Sequence, residues 1–189
     1  MISDVFPRFF PGVGRDGAVG LPPMAVAVLL LVLFPGCQPD ATSARGHTEA
    51  DVAAVNHTLD QIHAQAARAD FDAYFDLYSK QAVFLGTDAT ERWPMADFKA
   101  YAQPRFEDRG GWEYHVLERH VDFAPGGDVA WFDERLENVN MGETRGSGVL
   151  LREDGAWKVA QYNLTVLVPN ELARSIVQQI REHEQDTDN

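Results

Sequence analysis

The hydrophobic pattern changes period within residues 112–168, WEYHVLERHVDFAPGGDVAWFDERLENVNMGETRGSGVLLREDGAWKVAQYNLTVLV. Before this stretch, apolar residues recur about every 3.6 positions, as on a helix, whereas inside it they alternate with polar residues, as on a strand. Groups rich in Gly, Asn, Asp and Pro interrupt the alternation three times, and these residue types tolerate the backbone angles of tight turns. The stretch predicts an antiparallel meander of four strands, at about residues 112–123, 128–140, 144–153 and 156–168.

Helical patterns precede the meander. The first helix is predicted after Thr48, which forms a capping-box pattern with Asp51, and its apolar stripe consists of Val52, Val55, Leu59, Ile62 and Ala66. A second, short helix is expected after the capping residue Asp70, with an inward face made of Phe71, Tyr74, Phe75 and Tyr78.

A brief strand at residues 82–85 follows, and a third helix is predicted from Pro94, a favoured first-turn residue, to Pro104. A closing helix is predicted after Pro169-Asn170, with Leu172, Ile176 and Ile180 on one face. Helices followed by an antiparallel sheet indicate an α+β fold, in which the helices cover one face of the sheet and a pocket lies between them.

The order of these elements and two local segments carry a resemblance to a known family. The segments are FLGTDATERW at residues 84–93 and WKVAQYN at residues 157–163. Over about residues 48–181 the chain resembles the SnoaL-like branch of the nuclear transport factor 2-like superfamily. The resemblance implies a cone-shaped domain, with three N-terminal helices packed on a strongly curved, mostly antiparallel sheet and a closing C-terminal helix.

For function, the resemblance leaves three possibilities open. The first is a protein that binds a small organic ligand in the cone. The second is an enzyme of the ketosteroid isomerase or polyketide cyclase type, in which a pocket carboxylate removes a proton next to a carbonyl group. The third is a dimerisation or assembly module, and a fold alone does not choose among them.

The N-terminal region predicts a targeting segment. Residues 24–34, MAVAVLLLVLF, form an apolar run that is shorter than the ~20 residues of a membrane-spanning helix. With Cys37 shortly after it, the run resembles the signal peptide and lipobox of bacterial lipoproteins, although Phe34 and Pro35 depart from the usual lipobox residues. We expect a signal peptide at 1–36, a tether at 37–47, the domain at 48–181 and a polar tail at 182–189. The alternatives are a secreted protein cleaved nearby and a cytosolic protein with a misplaced start.

Composition limits the partners. Sixteen Lys and Arg against 29 Asp and Glu give a net charge of -13, which disfavours nucleic acid and anionic membrane surfaces. Cys37 is the single cysteine, so a disulfide framework or a cysteine-based zinc site is excluded. The histidines show no metal-binding spacing, and we expect no metal and no cofactor. Contact with a membrane is expected through the lipid anchor only.

Two sets of residues alternate on the last strand. Trp157, Val159, Gln161, Asn163 and Thr165 share one face, and we expect Gln161 and Asn163 to bind a ligand beyond an apolar floor. The same amides could instead bond to neighbouring side chains. The other face carries Lys158, Ala160, Tyr162 and Leu164, and these residues predict a homodimer through the outside of the sheet.

The second strand of the meander carries a candidate base. Asp133 shares a face with Trp131, and a carboxylate beside an indole ring in an apolar cup would have a raised pKa, as a general base requires. Tyr114 or Arg145 would then stabilise the enolate oxygen. The alternative is a structural ion pair between Asp133 and Arg145.

The loop at residues 86–93 is a further candidate for ligand contacts. Asp88, Glu91 and Arg92 place charged groups between a strand and a helix, and Trp93 ends the loop. The same residues could serve only as turn and cap residues.

Overall fold

The computed structural model describes residues 46–108 and 110–187. The elements are α1 (Glu49–Ala67), α2 (Phe71–Asp76), β1 (Tyr78–Leu85), β2 (Arg92–Pro94), α3 (Met95–Asp108), β3 (His115–Phe123), β4 (Val129–Asn138), β5 (Gly142–Glu153), β6 (Ala156–Val166) and α4 (Ala173–Thr187). The expected signal peptide and Cys37 lie outside the described residues. None of the helices described is long and apolar enough to cross a membrane.

The strands form one mixed sheet of six, in the order β2-β1-β6-β5-β4-β3. Neighbouring strands are antiparallel except β1 and β6, which are parallel. The predicted meander is confirmed as β3 to β6, and the α+β class is confirmed. Helices α1, α2 and α3 cover one face of the sheet, and the buried residues of both layers form one core.

The start of α1 follows from its cap. The Thr48 side chain accepts a hydrogen bond from the Asp51 backbone amide, and the Asp51 carboxylate accepts one from the Thr48 amide, as the sequence predicts. Val55, Leu59 and Ile62 then turn their side chains into the core. The helix is therefore fixed at its first turn and along its apolar face.

A β-bulge divides β6 into two parts. Gln161 pairs with Val149 of β5, whereas Val159 pairs with the next residue, Leu150, so Ala160 is an extra residue on β6. An extra residue shifts the alternation of side chains by one position. The expectation that Gln161 shares its face with Val159 is therefore wrong.

The bulge decides which side chains of β6 are buried. Trp157 and Val159 face the helices before it, and Tyr162 and Leu164 face the helices after it. Tyr162 and Leu164 therefore do not form an outward surface, and the homodimer interface predicted through them is wrong in its residues.

Two helix ends also differ from expectation. Helix α3 continues past Pro104 to Asp108, because Phe106 is buried and holds the last turn against the core. Helix α4 continues to Thr187, and none of its residues is buried. Its apolar side chains Val177 and Ile180, and that of Leu172 just before it, are about half exposed.

Aromatic rings fill the space between α2, α3 and the sheet. Tyr74 contacts five other rings at centroid distances of 5.0 to 6.3 Å, and its hydroxyl lies 2.8 Å from that of Tyr78. Phe98 stacks on Phe84 at 4.1 Å. Such contacts add about 0.5–1.5 kcal/mol each to the stabilisation from burial. This cluster gives the cavity described next a rigid wall.

Candidate functional site

A cavity of about 310 Å³ lies between the helices and the inner face of the sheet. Much of its wall is aromatic, and these side chains include Phe84, Trp93, Phe98, Tyr101, Trp112 and Tyr114. Polar groups enter from the β1–β2 loop through Thr87 and Glu91, and from the β4–β5 turn through Asn138 and Asn140. An apolar space with few polar groups is typical of a site for a small organic molecule.

A buried carboxylate lies behind one wall of this cavity. Glu134 of β4 is fully buried, and the Tyr162 hydroxyl donates a hydrogen bond of 2.9 Å to its Oε1. His63 Nε2 lies 2.9 Å from the same oxygen, and Arg119 Nε donates to Oε2 at 2.8 Å. Tyr162 and His63 line the cavity, so Glu134 acts on the cavity through these two residues.

The partners of Glu134 keep it ionised. Burial alone raises its pKa, but the hydrogen bond from His63 and the charge of Arg119 outweigh burial, and the pKa lies below its ordinary value. Burial raises the pKa of Tyr162 well above its ordinary value, and the adjacent carboxylate of Glu134 raises it further. Near neutral pH the site therefore holds a carboxylate and a protonated phenol.

The ionised carboxylate fixes the direction of its hydrogen bond with His63. A carboxylate only accepts hydrogen bonds, so His63 donates its Nε2 proton to Glu134. Within the described residues the other ring nitrogen, Nδ1, makes no hydrogen bond, and the side chain is 11% exposed. His63 therefore has one ring nitrogen that a ligand could contact.

A glycine on β5 makes room for this cluster. A Cβ at Gly146 would overlap the Tyr162 hydroxyl and would lie 3.0 Å from Glu134 Oε1. The absence of a side chain at Gly146 is therefore what lets Tyr162 cross β5 and reach Glu134.

The predicted rim loop is divided between two roles. Glu91 and Trp93 line the cavity, whereas Asp88 and Arg92 are exposed and do not. Asp88 accepts hydrogen bonds from the amide and hydroxyl of Thr90 at 2.8 and 2.6 Å, and these bonds lower its pKa. Asp88 is thus a turn residue, which is the structural alternative that the sequence left open.

The predicted base does not reach the cavity. Asp133 and Arg145 are exposed on the outer face of the sheet, and Trp131 beside them is 46% exposed. Asp133 is paired across the sheet with Ser147, and the described residues show no ion pair between Asp133 and Arg145. The alternation along β4 was predicted correctly, but the face was wrong: Phe132 and Glu134 point inward.

The other predicted site residues are divided in the same way. Tyr114 lines the cavity, and its hydroxyl lies 3.5 Å from the Met141 sulfur. Gln161 and Asn163 follow the bulge, and neither lines the cavity. The Asn163 side chain instead contacts the Thr165 hydroxyl on its own strand at 3.4 Å. For Asn163, this contact is the alternative that the sequence left open, a bond to a neighbouring side chain instead of a ligand.

Sequence reasoning missed His63, Glu134 and Tyr162 as site residues. A signal for Glu134 was present, because it lies between Phe132 and Leu136 on the more apolar face of β4. A charged residue in an apolar row is buried only with partners, so it marks an internal polar cluster. In the described part of the chain, no three His, Cys, Asp or Glu side chains are grouped to hold a metal ion.

Solved structures with this architecture place the fold in a known class. A nuclear transport factor 2-like (NTF2-like) protein of unknown function from Pseudomonas putida is 15% identical, with a TM-score of 0.56 over 67% of this chain and 93% of that one. A domain of unknown function with a cystatin-like fold from Nostoc punctiforme is 19% identical, with a TM-score of 0.55 over 75% and 94%.

A third similar structure is a protein from Streptomyces avermitilis, provisionally named a dehydratase of the NTF2-like family. It is 13% identical, with a TM-score of 0.56 over 64% of this chain and 99% of that one. At these identities the likeness shows the fold alone, which is NTF2-like.

The sequence then gives the family. A sequence model of the SnoaL-like domain matches residues 55–169, and the chain belongs to the SnoaL-like domain family. No curated protein sequence matches the chain.

Proposed function

We propose that this domain binds a small organic molecule in the cavity between its helices and its sheet. The observation that carries the proposal is the pairing of an aromatic wall with the polar pair His63 and Tyr162, both fixed by Glu134. The volume of about 310 Å³ lies at the lower end of ligand cavities, which run from roughly 300 to 1,000 Å³. The ligand is therefore small.

The polar pair also defines the chemistry of the ligand. Tyr162 donates its hydroxyl proton in a hydrogen bond to Glu134, and His63 donates its Nε2 proton to the same carboxylate. The hydroxyl oxygen of Tyr162 is therefore left as an acceptor, and Nδ1 of His63 has no partner among the described residues. A ligand with a hydroxyl group at one end would pair with both atoms, while its apolar part contacts the rings.

Filling the cavity tests this proposal. Leu164→Trp introduces a large ring at the cavity wall, and Gln161→Trp introduces the same ring on the outer face of the same strand. We expect wild type and Gln161→Trp, purified from the native host, to carry the same small molecule in native mass spectrometry, and Leu164→Trp to lack it. Equal retention by both variants would contradict binding in this cavity.

Proton transfer is a second candidate function, and the contact between His63 and the buried carboxylate of Glu134 favours it. A histidine positioned by a carboxylate can serve as a general base, with a contribution of typically 10²–10⁴-fold to rate. The similar structure from Streptomyces avermitilis carries the provisional name of a dehydratase. His63 replaces Asp133 in this role, because Asp133 lies on the outer face.

Deuterium uptake into a panel of cyclic ketones separates binding from catalysis. If His63 is a base, His63→Gln should lower uptake by about 10²–10⁴-fold. Asp133→Asn is the matched control and should leave uptake unchanged. No uptake by wild type above buffer would remove the enzyme function for these substrates.

We also propose that the protein is anchored at the cell envelope by a lipid on Cys37. The support is the apolar run at residues 24–34 followed by the cysteine. Wild type should partition into detergent and begin at Cys37, and Cys37→Ser should move to the soluble fraction. An unmodified Cys37 within an intact N-terminal segment would contradict the anchor.

A further inference from the structure

An arginine at the rim of the cavity forms part of an aromatic ladder. The guanidinium carbon of Arg105 lies 3.7 Å from the centroid of the Tyr101 ring, and Tyr101 lies 4.1 Å from the Trp93 ring. All three side chains line the cavity and are half-buried. Stacking fixes the plane of the guanidinium and leaves its edge available for hydrogen bonds in that plane.

Most of the hydrogen-bond donors of Arg105 are unused. Its Nη1 donates to the Tyr101 carbonyl at 2.9 Å, and the described residues provide no further hydrogen bond and no carboxylate within 4.0 Å. The other half-buried arginines of the described residues, Arg119, Arg135 and Arg152, differ, since each pairs with a carboxylate of the chain. Although the protein has 29 acidic residues, Arg105 therefore has no carboxylate partner among the described residues. Its charge is available to a ligand.

We propose that the ligand of this cavity is a planar aromatic carboxylic acid. Its ring packs against Trp93 and the neighbouring rings, and its carboxylate accepts hydrogen bonds from the edge of the Arg105 guanidinium. Carboxylates fit this edge in a bidentate geometry, and such charge-assisted hydrogen bonds are about twice as strong as neutral ones. This inference rests on the proposed binding function and names the class of ligand.

Glu91 makes the inference sharper, because it places a negative charge on the same rim. Its carboxylate accepts a hydrogen bond from the Asp88 amide at 3.2 Å and lines the cavity. The charge of Glu91 opposes the binding of an anion, so Glu91→Gln should strengthen binding of an aromatic acid. For an aromatic amine the same substitution should weaken binding.

Three matched probes test the inference on the full-length protein by isothermal titration. They are 2-naphthoate, 2-naphthamide and protonated 2-naphthylmethylamine, which share one ring system and differ in charge. We expect wild type to bind the acid about tenfold more tightly than the amide and the amine least tightly. Arg105→Gln should remove the tenfold preference for the acid over the amide.

Arg92→Gln is the control for net charge, because Arg92 is exposed and does not line the cavity. It should keep the preference, and circular dichroism melting confirms that each variant is folded. Equal binding of acid and amide, or tighter binding of the amine, would overturn the carboxylate inference while leaving cavity binding intact. Failure of all three probes would contradict the aromatic ligand and the proposed binding function together.

Discussion

In both halves of β6 buried and less buried residues alternate, but the buried positions are odd-numbered in the first half and even-numbered in the second. In Trp157-Lys158-Val159 the odd-numbered residues are buried, whereas in Gln161-Tyr162-Asn163-Leu164 the even-numbered residues are. The extra residue Ala160 separates them. As a result Tyr162 reaches Glu134, and the amides of Gln161 and Asn163 lie outside the cavity. One inserted residue thus determines the polar end of the site.

A two-residue deletion at the bulge is the most severe test of this comparison. Deleting Ala160 and Gln161 together would place Tyr162 directly after Val159, and simple alternation would then turn Tyr162 and Leu164 outward, whereas deleting Ala160 alone would keep them inward. In the double deletion Tyr162 and Leu164 each lose burial worth about 1.5–3 kcal/mol, and Glu134 loses a hydrogen bond in the interior. We expect no cooperative melting transition for the double-deletion variant, and wild-type-like melting for the control Ala160→Ser. A normally folded double-deletion variant would contradict this account of β6.

Adjacent residues of β4 provide the second test, because Glu134 faces inward and Asp133 outward. Glu134→Ala leaves the guanidinium of Arg119, which is 7% exposed, without its buried partner. We expect a loss of about 3–5 kcal/mol in the free energy of unfolding, measured by urea denaturation. Asp133→Ala is the control and should change it by less than about 0.5 kcal/mol. Similar losses in both variants would reverse the assignment of faces.

A glycine of β5 tests the bulge from the opposite strand. A Cβ at Gly148 would overlap the carbonyl oxygen of Gln161, which is backbone and cannot rotate away. We expect Gly148→Ala to cost roughly 1–3 kcal/mol in urea denaturation, while the neighbouring Ser147→Ala costs less than about 0.5 kcal/mol. A neutral Gly148→Ala would mean that the bulge does not need this close approach.

The comparison also explains how far the sequence determines the site. Local signals such as the Thr48 cap and the turns of the meander predict the elements and the α+β class, because they depend on neighbouring residues. Alternation predicts which side chains share a face of β4, but not which face packs on the helices. Each face of β4 carries an aromatic residue and a carboxylate, Trp131 with Asp133 on one and Phe132 with Glu134 on the other. Only the packing of the helices determines which of these faces is buried.

The bulge depends on pairing between strands and is therefore hidden from a single strand. Its one sequence signal lies on β5, where Gly148 stands in the interior of a strand, a position that often marks a bulge or a close backbone approach. Arg105 was missed for a different reason. It follows Pro104, where the sequence predicts that the helix has ended, and only the buried Phe106 keeps this turn helical.

The smallest effect on stability is expected on the outer face, where a homodimer stays a prediction. Tyr162 and Leu164 cannot form its interface, but Trp131 is 46% exposed on the outside of the sheet. Tryptophan is enriched at the centre of protein interfaces, where it buries a large area. We propose that Trp131 lies at the centre of the homodimer contact.

Sedimentation velocity at micromolar concentration, together with urea denaturation, tests this assignment. Trp131→Glu should convert the dimer into a monomer and change the free energy of unfolding of the monomer by less than about 0.5 kcal/mol. Tyr162→Glu is the inner-face counterpart and should unfold the protein, because it places a second carboxylate against Glu134 in the interior. A monomer mass for wild type would remove the dimer. A folded monomer for Tyr162→Glu with an unchanged dimer for Trp131→Glu would instead return the interface to the even-numbered residues of β6.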